Sequence, residues 1–151
     1  MDVAITKLEI SFSVHGTEDI DKNMEAISNI TEEIDLNHAN IVGEKLEGGY
    51  RNPIEYIQIS FTKQNIIDKI LKHLSSKLQK EDKALLETEF QHRFDFKKKT
   101  FHIRLDKELL YHNSLQLATS TNVVKLTIKM RAFTKDADFK NILFQKGILE
   151  N

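Results

Sequence analysis

The sequence has no cysteine and no tryptophan, one proline and five glycines. Without cysteine there can be no disulfide framework, no thiolate nucleophile and no thiolate metal site. That suits a reducing compartment, and a cytoplasmic location is the expectation. No apolar run approaches the roughly 18 residues that a bilayer span requires. The first 14 residues alternate in polarity, and do not place a basic stretch before an apolar one as a signal peptide does. No membrane partner is expected. Internal repeats, low-complexity stretches and linkers are also missing.

What is present reads as one globular domain. The chain has 151 residues, 40% hydrophobic and 30% charged, and a domain of this size buries roughly 70% of its unfolded surface. The net charge of −1 hides a division along the chain. Residues 1–91 hold 10 Lys/Arg against 17 Asp/Glu, whereas residues 92–151 hold 12 against 6. A split of this kind can mark a basic patch for a polyanion, unless the two halves mix in space.

Periodicity supplies the elements. Leu8, Ile10, Phe12 and Val14 alternate with Lys7, Glu9, Ser11 and Ser13, as in a strand with one buried face. Thr17 is a candidate N-cap for a helix carrying Ile20, Met24, Ile27, Ile30 and Ile34, with Glu18 and Asp19 in its first turn. Residues 36–49 read as a short, irregular strand, and Tyr50-Arg51-Asn52-Pro53 as a turn. A second clear strand sets Ile57, Ile59 and Phe61 against Tyr56, Gln58 and Ser60.

Thr62 or Lys63 opens a helix running to Leu78, and a break near Lys80 to Asp82 leads to a shorter one with Leu85, Leu86 and Phe90. Phe94 to Leu105 reads as a hairpin with Lys97, Lys98 and Lys99 at its tip. Asp106 to Tyr111 fits one helical turn. A long strand then sets Val124, Leu126, Ile128, Met130 and Ala132 against Lys125, Thr127, Lys129 and Arg131. A last helix carries Phe139, Ile142 and Leu143, with Gly147 as its stop. Clean alternation implies an α+β fold: a mostly antiparallel sheet with helices packed on one face.

On that fold the face away from the helices displays Lys7, Tyr56, Gln58, His102, Arg104, Lys125, Lys129 and Arg131, with Glu9 opposing. Cations that neutralise phosphates, beside a ring that can stack on an unpaired base, suit RNA. An ordinary solvated face is the bland alternative. The triple lysine is either a grip on phosphate or a solvated tip. Gly48 to Pro53 can bring backbone N–H groups near a phosphate, but no Gly-Lys-Ser/Thr follows, so it is not a P-loop.

No two histidines stand at i,i+4 on a helix, so no metal motif forms, and there is no Gly-x-Ser-x-Gly elbow. Neither metal, cofactor nor catalytic residue is expected. A hydrolase using His15 and Asp19 is a remote third reading.

Four motifs in order resemble a small archaeal family of predicted RNA-binding, exosome-associated proteins. Val14-His15-Gly16-Thr17-Glu18-Asp19 is similar to its Val-His-Ala-Thr-Glu-Asp opening. Leu46 to Ile54 is similar to its Glu-Gly-His-aromatic-Gly-Asn-Pro-Ile loop. Arg104-Leu105-Asp106-Lys107 is similar to its Arg-x-Asp-Lys, and the basic strand ending at Phe133 also fits. The likeness covers roughly residues 5–149.

It implies a fold similar to the ribosomal protein that contacts the small ribosomal RNA of the large subunit, with structured RNA as ligand and no established catalysis. Gly49 stands where the family has histidine, and Arg51 where it has glycine. Gly16 replaces alanine, an exchange expected to matter little.

The expected phosphate contacts are Lys97, Lys98, Lys99, Arg104, Lys107, Lys129 and Arg131, with His102 on the same face. Tyr50 and Arg51 are the candidates for stacking or clamping a base. The leading expectation is a non-enzymatic RNA-binding protein of RNA processing or translation, which can also contact protein subunits of a processing complex. The alternative is a protein-interaction module, a homodimer or a complex subunit without nucleic-acid contact, built on an exposed apolar patch or an unpaired sheet edge.

Overall fold

The computed structural model describes residues 2–47 and 53–151. Six strands and six helices run in the order β1 (Val3–His15), α1 (Ile20–Thr31), a 3-10 turn (Leu36–His38), β2 (Asn40–Glu47), β3 (Pro53–Phe61), α2 (Gln64–Lys77), α3 (Lys80–Thr88), α4 (Phe90–Arg93), β4 (Phe94–Asp95), β5 (Thr100–Asp106), α5 (Lys107–Tyr111), β6 (Val123–Ala132) and α6 (Phe139–Gln145). The strands form one sheet in the order β2-β3-β1-β6-β5-β4, and every pairing is antiparallel. This is the α+β architecture that the alternation implies.

The two longest strands lie side by side at the centre, so their apolar faces are the most deeply covered. Leu8, Ile10 and Phe12 of β1 and Leu126 and Ile128 of β6 are buried in one cluster with Ile27 and Ile30 of α1 and Ile67, Ile70 and Leu74 of α2. The face opposite the helices is left to the alternate residues. A bulge between Ile5 and Lys7 shifts the phase of β1. Val3 and Ile5 can therefore point inward from odd positions while Leu8 to Val14 do so from even ones.

Several boundaries differ from the sequence reading. α1 ends at Thr31, before Ile34, because Glu32 takes a φ of 52° and leaves the helical ladder. Asp19, not Thr17, caps it: the Asp19 carboxylate accepts from the Asp21 N–H at 2.9 Å. The break after α2 falls at Leu78, whose extended backbone is pinned by a buried side chain. Glu81 and Asp82 then sit in the first turn of α3, where the helix dipole favours acids. β2 is a regular strand, and its residues 40–46 are exposed. None of residues 40–46 is buried, so among the described residues β2 has no buried face to impose alternation. Gly147 does stop α6, with a φ of 75°.

Candidate nucleic-acid interface

The hairpin tip is organised by one aspartate. Asp95 Oδ1 accepts from the backbone N–H of Lys97 at 2.9 Å and of Lys98 at 3.1 Å. The Lys98 N–H, with help from that of Lys97 and the nearby charges of Lys98 and His102, holds the Asp95 carboxyl below the usual carboxylate range. Lys99 closes the turn at a φ of 55°, and its carbonyl accepts from the Met130 N–H at 2.9 Å. The tip is thereby fastened to β6. Lys97, Lys98 and Lys99 line one shallow groove with Lys129 and Arg131, about 390 Å³ in volume. The structure thus brings five of the expected phosphate contacts together.

Cross-strand register continues the charge over the sheet. Lys129 lies opposite Lys7, and Arg104 lies opposite Lys125. Like charges directly opposed destabilise a sheet. Lys7 has partial relief from Glu9, 3.6 Å away. Among the described residues Arg104 and Lys125 make no ion pair or hydrogen bond through their side chains.

His102 occupies the same face but does not act as a cation there. Its ring nitrogens face the hydroxyls of Thr100 and Thr127 at 3.0 and 3.3 Å. Burial, assisted by the positive charges of Lys125, Arg104 and Lys98, pushes its pKa below the usual histidine value despite Asp95. The ring is therefore neutral at neutral pH and positions its neighbours.

Lys107 requires a correction. The lysine is only 7% exposed, and its Nζ donates to Ser13 O at 2.8 Å, Asn23 Oδ1 at 2.9 Å and Glu18 Oε2 at 3.0 Å. All three ammonium protons are bound inside the protein, so Lys107 is not placed to contact a phosphate. Burial alone would raise the Glu18 pKa, but the His15 N–H and the Lys107 ammonium outweigh it and hold the carboxyl below its ordinary range. Two motifs 89 residues apart thus meet as one ion pair. Asp106 of the second motif caps α5 through the Leu109 N–H at 2.9 Å.

Tyr50 and Arg51, together with Gly49, lie outside the described residues. Gly16 lies beside Pro53: a Cβ there would meet the Pro53 ring at 2.9 Å. The exchange for alanine therefore matters more than expected. Asp19 is engaged as a helix cap, and the His15 backbone N–H donates to Glu18 Oε1 at 3.0 Å.

Two aromatic rings at the basic end escaped the sequence reading. Phe96 is 55% exposed beside the triple lysine, and Phe133 is 54% exposed with the Arg131 guanidinium over its ring at 5.4 Å. An aromatic inside a strand pattern reads as core. The clue was position, because both rings fall just past a strand end.

The helical side carries both signs of charge. α1 carries Asp21 and Glu25, but α2 carries Lys69, Lys72 and Lys77 against Asp68. The balance of a half-chain conceals this basic helix. A cavity of about 710 Å³ lies there, and Glu32, Glu33 and Asp35 in its wall face Lys63, Lys69 and Lys72. Its mixed signs suit no polyanion. Among the described residues no three His, Asp or Glu side chains gather as for a metal ion, and no helix is long and apolar enough to cross a membrane.

A protein family described as RNA binding matches residues 7–130, and the chain belongs to that family. Its relatives are archaeal. RNA-binding protein PAB1135 of Pyrococcus abyssi is 30% identical over 127 residues, which cover 83% of this chain and 82% of that protein. An uncharacterized Methanocaldococcus jannaschii protein, MJ0213, is 24% identical over 131 residues, 86% of this chain and 87% of that one. Among solved structures, the DUF54 protein AF2318 of Archaeoglobus fulgidus superposes with a TM-score of 0.76 at 27% identity, covering 96% of this chain and 99% of that one. The DUF54 protein Mth689 of Methanothermobacter thermautotrophicus has the same fold, with a TM-score of 0.73 at 23% identity over 97% and 98% of the two chains.

Proposed function

We propose that this protein binds structured RNA without catalysing a reaction on it. The phosphate backbone lies along the basic end and outer face of the sheet. Lys97, Lys98, Lys99, Lys129 and Arg131 form the main contact, Arg104 and Lys125 extend it, and Phe96 and Phe133 offer rings to unpaired bases at its margin. RNA processing or translation is the proposed setting, where a ribosomal-protein-like fold and association with exosome subunits would both be at home. The name of the Pyrococcus relative supports RNA binding.

One observation carries it. Two rows of the outer face set cation against cation across neighbouring strands, beside a groove lined by five cations. Such rows cost sheet stability, and a polyanion turns the cost into affinity. The test is affinity for a structured RNA as salt is varied. Each phosphate contact contributes roughly −0.7 to −0.9 to the slope of log K against log salt, so about five contacts give a slope near −4. A flat dependence, or no binding at low salt, contradicts the proposal.

Protein docking is a second reading, favoured by β2. This edge strand pairs only with β3 among the described residues, and it exposes Ile41, Val42 and Leu46. Its proposed occupant is a second copy of the chain. In an antiparallel pairing centred on Gly43, Lys45 faces Ile41 and Glu44 faces Val42, so no like charges meet. Light scattering tests it: a dimer that Val42→Glu, which sets like charges opposite Glu44, returns to monomer supports the reading, and a monomer at high concentration removes it.

A further inference from the structure

The outer face holds a second concavity, built on different residues from the basic tip. Ser11 and Ser13 are small outward side chains of β1, and the strands beside them carry long ones. Ser11 lies between Gln58 and Lys125, and Ser13 lies beside Tyr56. Arg104 faces Lys125 from the next strand. The result is a groove of about 460 Å³ that includes Ser11, Ser13, Tyr56, Arg104, Lys125 and Asn122 in its lining. Ser11 is buried although it belongs to the exposed face, so the walls rise well above the floor.

Those walls differ in chemistry. Tyr56 presents a flat ring on one side, and the Arg104 and Lys125 cations stand on the other. Among the described residues the Tyr56 ring has no aromatic or cationic partner, its hydroxyl has no hydrogen bond, and the two cations have no carboxylate. The Tyr56 strand and the Lys125 strand flank β1, two strand spacings or about 10 Å apart, and the Arg104 strand lies one spacing further out. That width admits one flat base with its sugar and phosphate, and is too narrow for a duplex.

We infer that this groove holds a single unpaired nucleotide of the bound RNA, its base stacked on Tyr56 and its phosphate between Arg104 and Lys125. The inference rests on the RNA-binding reading and deepens it. The tip cations grip phosphates whatever their base pairing, whereas the groove selects RNA that has a base to insert. Stacking on an aromatic side chain tolerates any base, so the preference is for unpaired structure over sequence.

The experiment compares two probes, an oligoribonucleotide with one 2-aminopurine and a blunt-ended, fully paired RNA duplex of similar length. Wild-type protein quenches the aminopurine on binding. Tyr56→Ala weakens the single strand about tenfold or more and abolishes the quench, while duplex affinity stays unchanged. Tyr56→Phe restores both affinity and quench. Arg104→Gln with Lys125→Gln lowers the single-strand salt slope by about two. A folded Tyr56→Ala protein that binds and quenches the single strand like the wild type overturns the groove alone, because RNA binding would persist. Failure of wild-type protein to bind either probe overturns the RNA-binding reading itself.

Discussion

Lys107 commits all three of its ammonium protons to acceptors inside the protein. Replacing it with methionine leaves Glu18 as a partly buried carboxylate without its cation and Asn23 without a donor. Loss of one partner of a buried pair is costly, so Lys107→Met should lower stability by roughly 3 kcal/mol, read from the denaturant midpoint. Salt-dependent RNA affinity of the folded protein should be unchanged.

Three groups set an acid response. The Glu18 and Asp95 pKa values are depressed by folding, so their contribution is complete above the ordinary carboxylate range and is lost as pH falls below about 4. His102 is also depressed. The unfolded chain therefore takes up its proton first, and stability begins to fall below about pH 6.5. In an unfolding series against pH, Glu18→Gln should flatten the lower phase and His102→Gln the upper one. Phases left unchanged would contradict these assignments. At Gly16 an added methyl meets the Pro53 ring, and Gly16→Ala should cost about 1 kcal/mol.

The central strands show how an element stores charge. Parity made the outward set of β1, β5 and β6 legible in the sequence, because β5 alternates between apolar and polar residues throughout, β1 does so from Lys7 to Val14 and β6 from Val124 onward. It did not reveal which cations oppose which. That depends on register, and the bulge before Lys7 shifts the pairing of β1 with β6. Nor could parity find Lys107. It starts a short helix, and its acceptors come from residues about 90 positions away, whereas a lysine by default faces solvent.

β2 was hard to read for the opposite reason: with none of residues 40–46 buried, its sequence has no pattern to keep. The opposed cations yield a prediction of their own. Lys125→Thr removes one like-charge pair, so it should raise stability by about 0.2–1 kcal/mol while weakening RNA binding. Thermal unfolding and a binding titration on the same sample check both signs, and a variant that is destabilised and binds normally would show that the row has no such role.

Over the whole molecule, the division of charge along the chain only partly becomes a division in space. The basic half supplies β5, β6 and the hairpin tip, which converge on the outer face and one end of the sheet. The acidic half supplies α1 and α3, but also α2 with its three lysines. Location, rather than net charge, is therefore the central claim.

The most direct test removes three charges from either place. One variant carries Lys97→Gln, Lys98→Gln and Arg131→Gln, substitutions that leave intact the Asp95 turn built on backbone N–H groups. The other carries Lys69→Gln, Lys72→Gln and Lys77→Gln on α2. Each lost phosphate contact lowers the salt slope by about one. The tip variant should therefore lose about three from the slope of log K against log salt, and the α2 variant should match the wild type. Equal slopes for the two variants would contradict the account.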